Sequence, residues 1–162
     1  LADQTDPASN AAATGWETRS IKSLATGWNN VYLSLQSAQE IDGIVGPAKK
    51  ATIDISCADN VTSVLFHFGG NYFSGYGNFG VITVRVDDLP AQPLRGSVTS
   101  DNLGIGMLNG ATSIPLLRRL IGAETLVVSV QPVAAEQTVV TAEFELGNLE
   151  EIIQPLRQSC GW

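Results

Sequence analysis

The chain has 162 residues, 44% of them hydrophobic and 15% charged, the balance of a globular protein large enough to bury a core without help from a metal. Nine basic against sixteen acidic side chains leave a net charge of −7, and the basic residues cluster only as the pairs Lys49-Lys50 and Arg118-Arg119. The summed field repels phosphate, which makes nucleic acid and anionic membrane surfaces poor partners, and no apolar run reaches the roughly eighteen residues that a membrane-spanning helix needs.

The first fifteen residues, LADQTDPASNAAATG, are small and polar and read as a flexible tail, with 16–162 as a single domain. A signal cleaved before Leu1, or a lipid anchor upstream of it, would each leave such a tail. Strand signals follow. Val31 to Gln36 alternates aliphatic with more polar residues, as a strand covered on one face must. Thr52 to Cys57 repeats the pattern and puts Cys57 on the Ile53/Ile55 face. Val61 to Phe68 buries Val64, Phe66 and Phe68 and leaves His67 on the opposite face.

The stretch His67 to Gly80, HFGGNYFSGYGNFG, holds five of the sixteen glycines, and Tyr72, Phe73, Tyr76 and Phe79 supply large flat surfaces within it. Two readings stand: a partner- or ligand-binding loop formed by these four residues with His67, or aromatics that cover the open end of a sandwich. If it binds, a protein surface or a sugar face suits it better than an ion. Val81 to Asp87 is the next strand, then Leu94 to Thr99 and Leu103 to Leu108 as weaker ones separated by the turn residues Ser100-Asp101-Asn102.

Ser113 is expected to cap a short helix with Pro115 in its first turn, a stripe of Leu116, Leu117, Leu120 and Ile121, and Gly122 as its stop. Leu126 to Val130 and Val140 to Leu146 are strands, the second with Glu143 and Glu145 facing water. After Gly147, Asn148 is expected to cap a second helix with Leu149, Ile152, Ile153 and Leu156 on one face, and Pro155 is expected to kink or break it. Cys160 continues that face. The sum is a mainly β chain: an antiparallel β-sandwich with two short helices, one of them C-terminal.

Cys57 and Cys160 are the only cysteines. Their even number admits one disulfide, closing a loop of roughly 100 residues, while two buried free thiols are the other reading. A bond would pin the C-terminal segment to a core strand.

Little catalytic chemistry is visible. His67 is the only histidine and no Gly-x-Ser-x-Gly elbow accompanies it. The carboxylate pairs Asp87-Asp88 and Glu143-Glu145 show no apolar surroundings that would split their pKa values as glycosidases require. No metal-ligand spacing occurs, Asp101-Asn102 reads as a turn, and Gly104-x-Gly106 lacks the rest of a dinucleotide fingerprint. No cofactor, catalytic residue or metal site is expected.

Trp16, the Asn30-Val31-Tyr32-Leu33-Ser34-Leu35 strand, Ile53-Asp54-Ile55-Ser56-Cys57, Val84-Arg85-Val86-Asp87, Ala142-Glu143-Phe144-Glu145-Leu146, Leu149 to Arg157 and Ser159-Cys160-Gly161-Trp162 form a larger pattern. Across residues 16–162 this pattern resembles the TagO/VasI-like family of envelope proteins associated with bacterial type VI secretion. The resemblance implies an exported, often lipid-anchored periplasmic β-domain with its two cysteines joined, and an accessory role beside a secretion machine rather than a known reaction. The function expected is therefore that of a non-enzymatic adaptor for an envelope or secretion-system protein. The alternative is a ligand-binding or hydrolase-inhibitor module that recognises cell-wall glycan or a wall-degrading enzyme through the aromatic loop.

Overall fold

The structure, a computed structural model, describes residues 15–43, 46–133 and 138–162, so the tail expected over 1–15 lies outside the described residues except for Gly15. The first sheet begins as a meander: β1 (Trp16–Lys22), β2 (Asn29–Ile41), β3 (Lys49–Ala58) and β4 (Val61–His67) each pair antiparallel with the next. The chain then crosses to a second sheet through β5 (Val81–Val86) and β6 (Gln92–Arg95), and returns through β7 (Ser97–Val98) and β8 (Gly104–Met107). Helix α1 (Gly110–Leu120) leads to β9 (Thr125–Val130) and β10 (Val140–Glu145). The result is a six-stranded sheet in the order β1-β2-β3-β4-β8-β7 and a four-stranded sheet in the order β10-β9-β5-β6, antiparallel throughout.

Period-two alternation explains the core. Ile53, Ile55 and Cys57 on β3 are fully buried, as are Val64 and Phe66 on β4 and Ile82 and Val84 on β5. Phe66 and Phe144, from different sheets, meet at a ring separation of 6.2 Å and join the two layers. β1, by contrast, has no alternating apolar signal: Trp16 is its one buried residue, and its indole Nε1 donates to the Leu146 carbonyl at 2.8 Å. Pairing with β2 across seven residues, rather than burial, makes it a strand.

Two expectations need correction. The single strand expected over Leu94 to Thr99 is two short strands in different sheets, β6 and β7, divided at Gly96, whose amide bonds the Gly80 carbonyl at 2.8 Å. A side chain at Gly96 would press on Ile105 at 3.0 Å, so glycine lets the chain change sheets there. Helix α1 starts earlier than Ser113. Asn109 is the cap, its side chain accepting from the Thr112 amide at 3.1 Å, and Pro115 lies inside the helix. Ser113 instead is fully buried and donates its hydroxyl to the Thr62 carbonyl at 2.6 Å, tying α1 to β4.

The C-terminal helix is broken where Pro155 demands it. α2 (Leu149–Ile152) ends at Ile153, and α3 (Gln154–Cys160) starts with the proline in its first turn. Cys57 and Cys160 form a disulfide with their Cα atoms 5.9 Å apart, which fixes α3 to β3. Trp162 closes the same corner: its indole donates to Thr62 Oγ1 at 3.0 Å, and the Arg157 guanidinium lies 4.9 Å from its ring. No described helix is long and apolar enough to cross a membrane.

Candidate functional site

The aromatic segment turns out to be the first crossover between the sheets, running from the end of β4 to β5. Its inner residues hold it. Phe68 and Phe73 are buried and pack edge to face at 5.7 Å. Asn71, also buried, donates its side-chain amide to the carbonyls of Phe68 and Asp42 at 2.7 and 3.1 Å. The Phe73 amide donates to the Asn102 carbonyl at 2.7 Å, and the Asn102 side chain returns a bond to the Phe73 carbonyl at 3.0 Å. The Val133 amide bonds the Tyr72 carbonyl at 2.8 Å.

The outer half is held from β6. The Arg95 guanidinium donates to the carbonyls of Gly75 and Gly77 at 3.2 and 3.0 Å, clasping the turn that leads into a short 3-10 segment, Gly77–Gly80. Gly77 takes a φ of +53°, and a side chain at Gly80 would stand 2.8 Å from the Gly75 carbonyl oxygen. At these two positions the backbone requires glycine.

The five candidate residues thus separate by environment. Phe73 belongs to the core and presents no surface. Phe79 is half-buried, and Tyr72 and Tyr76 project outward at 44% and 84% exposure. An open groove of about 660 Å³ runs beside them, lined by Tyr76, Gly77, Asn78, Phe79 and Gln131. Arg95 and Gln131 drew no attention in the sequence because neither lies near the loop along the chain; only the β5–β6 pairing and the end of β9 bring them there.

His67 lies elsewhere, on the outer face of the six-stranded sheet, opposite Thr52 of β3. Its Nδ1 is 3.2 Å from Asp54 Oδ2, with both side chains partly exposed. Burial pushes the Asp54 carboxyl up, but hydrogen bonds from His67 and Ser34, the charge of His67 and a contact from Thr52 more than offset it, leaving its pKa below the ordinary aspartate value. Pairing sets Asp54 beside Ser34 of β2 and Leu65 of β4. Among the described residues no three His, Cys, Asp or Glu side chains are grouped to hold a metal ion. With both cysteines in the disulfide, neither sulfur is available as a nucleophile.

Asp87 and Asp101 are turn builders, while Glu143 and Glu145 stand exposed on β10. Asp87, at a φ of +50°, accepts from the backbone amides of Thr125 and Glu124 at 2.9 Å each and joins β5 to the start of β9. Asp101 accepts from the Thr99 hydroxyl and the Leu103 amide at 2.5 and 3.0 Å, shaping the β7–β8 turn.

No curated protein sequence matches the chain. Among solved structures, the crystal structure of invasion associated protein b from Bartonella henselae is similar in fold, with a TM-score of 0.57, 8% sequence identity, 90% of this chain covered and 93% of that one. The family model described as type VI secretion system VasI, EvfG matches residues 8–162, nearly the whole length and including both cysteines and the closing helices. The chain belongs to the VasI family associated with type VI secretion.

Proposed function

We propose that the protein is a periplasmic accessory component of a type VI secretion system that works by binding, with residues 16–162 acting as one unit and a secretion-apparatus protein as its partner. The observation that carries this reading is the aromatic tip: Tyr76 and Tyr72 stand out from a crossover whose backbone is clasped by Arg95, Asn102 and Val133. An exposed aromatic on a fixed backbone loses little entropy when covered, which is what an interface anchor requires. Family membership supports the secretion association, and the disulfide supports an oxidising compartment. The oxidised cysteines and the engagement of the one histidine by Asp54 favour recognition over catalysis.

The test is capture from envelope extract with the double variant Tyr72→Ala/Tyr76→Ala. Secretion-apparatus subunits should be captured by the wild type and lost by the variant, with the melting temperature nearly unchanged. Phe73→Ala is the contrasting control and should cost about 3 to 5 kcal/mol of stability. A second reading rests on the groove beside Tyr76. Capture of cell-wall glycan or a wall hydrolase instead of a secretion subunit would replace the adaptor by a ligand-binding or inhibitor module. Hydrolase activity removed by His67→Ala would replace both.

A further inference from the structure

Among the described residues four strands form sheet edges: β1 and β7 in one sheet, β10 and β6 in the other. An edge exposes unpaired backbone amides and carbonyls, and proteins blunt such edges with short strands, proline, bulges or charge. Three of the four are blunted. β7 has two residues, β6 carries Pro93, and β10 presents Glu143 and Glu145, which would repel a second copy of themselves. β1 is neither short nor bulged nor broken by proline, and its charges, Glu17, Arg19 and Lys22, are of mixed sign and so do not uniformly repel a second copy. It runs for seven residues without proline, pairs with β2 in unbroken register, and is exposed along its whole length after Trp16.

The side chains on its outer face are Glu17, Arg19 and Ile21, since Trp16 points inward and neighbours alternate. Arg19 is steadied over the Tyr32 ring at 4.8 Å, and Ile21 is 47% exposed. We propose that two copies of this chain join edge to edge through β1, antiparallel about a two-fold axis at Thr18. In that register Glu17 of each copy stands opposite Arg19 of the other, giving two reciprocal opposite-charge pairs on the same face. Trp16 falls opposite Ser20 and Gly15 opposite Ile21. Because the axis is perpendicular to the sheet, inner and outer faces are preserved and the two six-stranded sheets become one continuous sheet. A residue-for-residue match of this kind is what a two-fold interface demands. Shifting the axis to Arg19 would set Arg19 against itself, so charge selects the register.

Sedimentation velocity of the full chain over rising concentration should show a monomer passing to a dimer. Glu17→Arg and Arg19→Glu should each weaken self-association by roughly tenfold or more, and the swap Glu17→Arg/Arg19→Glu should restore it. Hydrogen exchange of the wild-type β1 amides should slow as concentration rises, a readout that does not depend on any variant folding. A mass that stays monomeric, a dimer indifferent to both reversals, or β1 amides protected only when envelope extract is added would each overturn the proposal; the last would show a foreign strand on this edge.

Discussion

Asp54, Asp87 and Asp101 each hold a carboxyl pKa below the ordinary aspartate value, and each for its own reason. For Asp87 the first cause is the Thr125 amide, then that of Glu124; for Asp101 it is the Thr99 hydroxyl, then the Leu103 amide; for Asp54 it is bonding from His67 and Ser34 working against burial. A carboxyl whose folded pKa is depressed adds stability that is complete above the unfolded value, about 3.9, and disappears as pH falls through the folded one. Denaturation measured across pH should therefore give a plateau above about pH 5 and a steady decline below it. Asp87→Asn should flatten part of that decline, and an unchanged slope would show that its amide bonds carry no linkage. The same residue was legible only as a turn former, because the partners that bind it are 37 and 38 positions away. Phe73 and Tyr76 pose the matching problem: three positions apart in one loop, both are large aromatics. A crossover has no period from which to read that one faces the core and the other solvent.

Where a period exists, elements were legible. The strands from β2 to β5, and β9 and β10, follow from alternation alone, and Pro155 located the break between α2 and α3. β1 escaped notice because its residues are exposed on both faces, and the β6–β7 division escaped because an apolar pattern does not say which sheet it covers. Helix α1 shows how a cap is misplaced: Asn109 and Ser113 are both good capping residues, and tertiary packing assigns Ser113 to the Thr62 carbonyl. Two substitutions separate these duties. Asn109→Ala should cost about 1 kcal/mol as a lost cap, while Ser113→Ala should cost about 1 to 3 kcal/mol by leaving a buried carbonyl without its donor. Urea denaturation of both variants checks the ranking, and equal small losses would mean that the α1–β4 bond is not a tertiary tie.

At the scale of the molecule the staple between β3 and α3 dominates. It closes a loop of 103 residues, and reducing it, or replacing both cysteines by Ala, should lower the unfolding free energy by about 2 to 5 kcal/mol. Guanidinium denaturation with and without reductant measures this, and coincident curves would show that packing of α2, α3 and Trp162 holds the corner unaided. Another long tie needs no sulfur: the indole of Trp16 reaches the carbonyl of Leu146 across 130 positions. Both ties fasten early sequence to late sequence, and the packing of β10 against β2 does the same. A polypeptide delivered residue by residue, first end leading, consequently cannot close this body until its final strand and helix have arrived. Before that moment the leading strand has no carbonyl to grip and Cys57 no sulfur to meet. Closure of the sandwich therefore waits on the last strand and the last helix, whichever order the rest of the chain folds in.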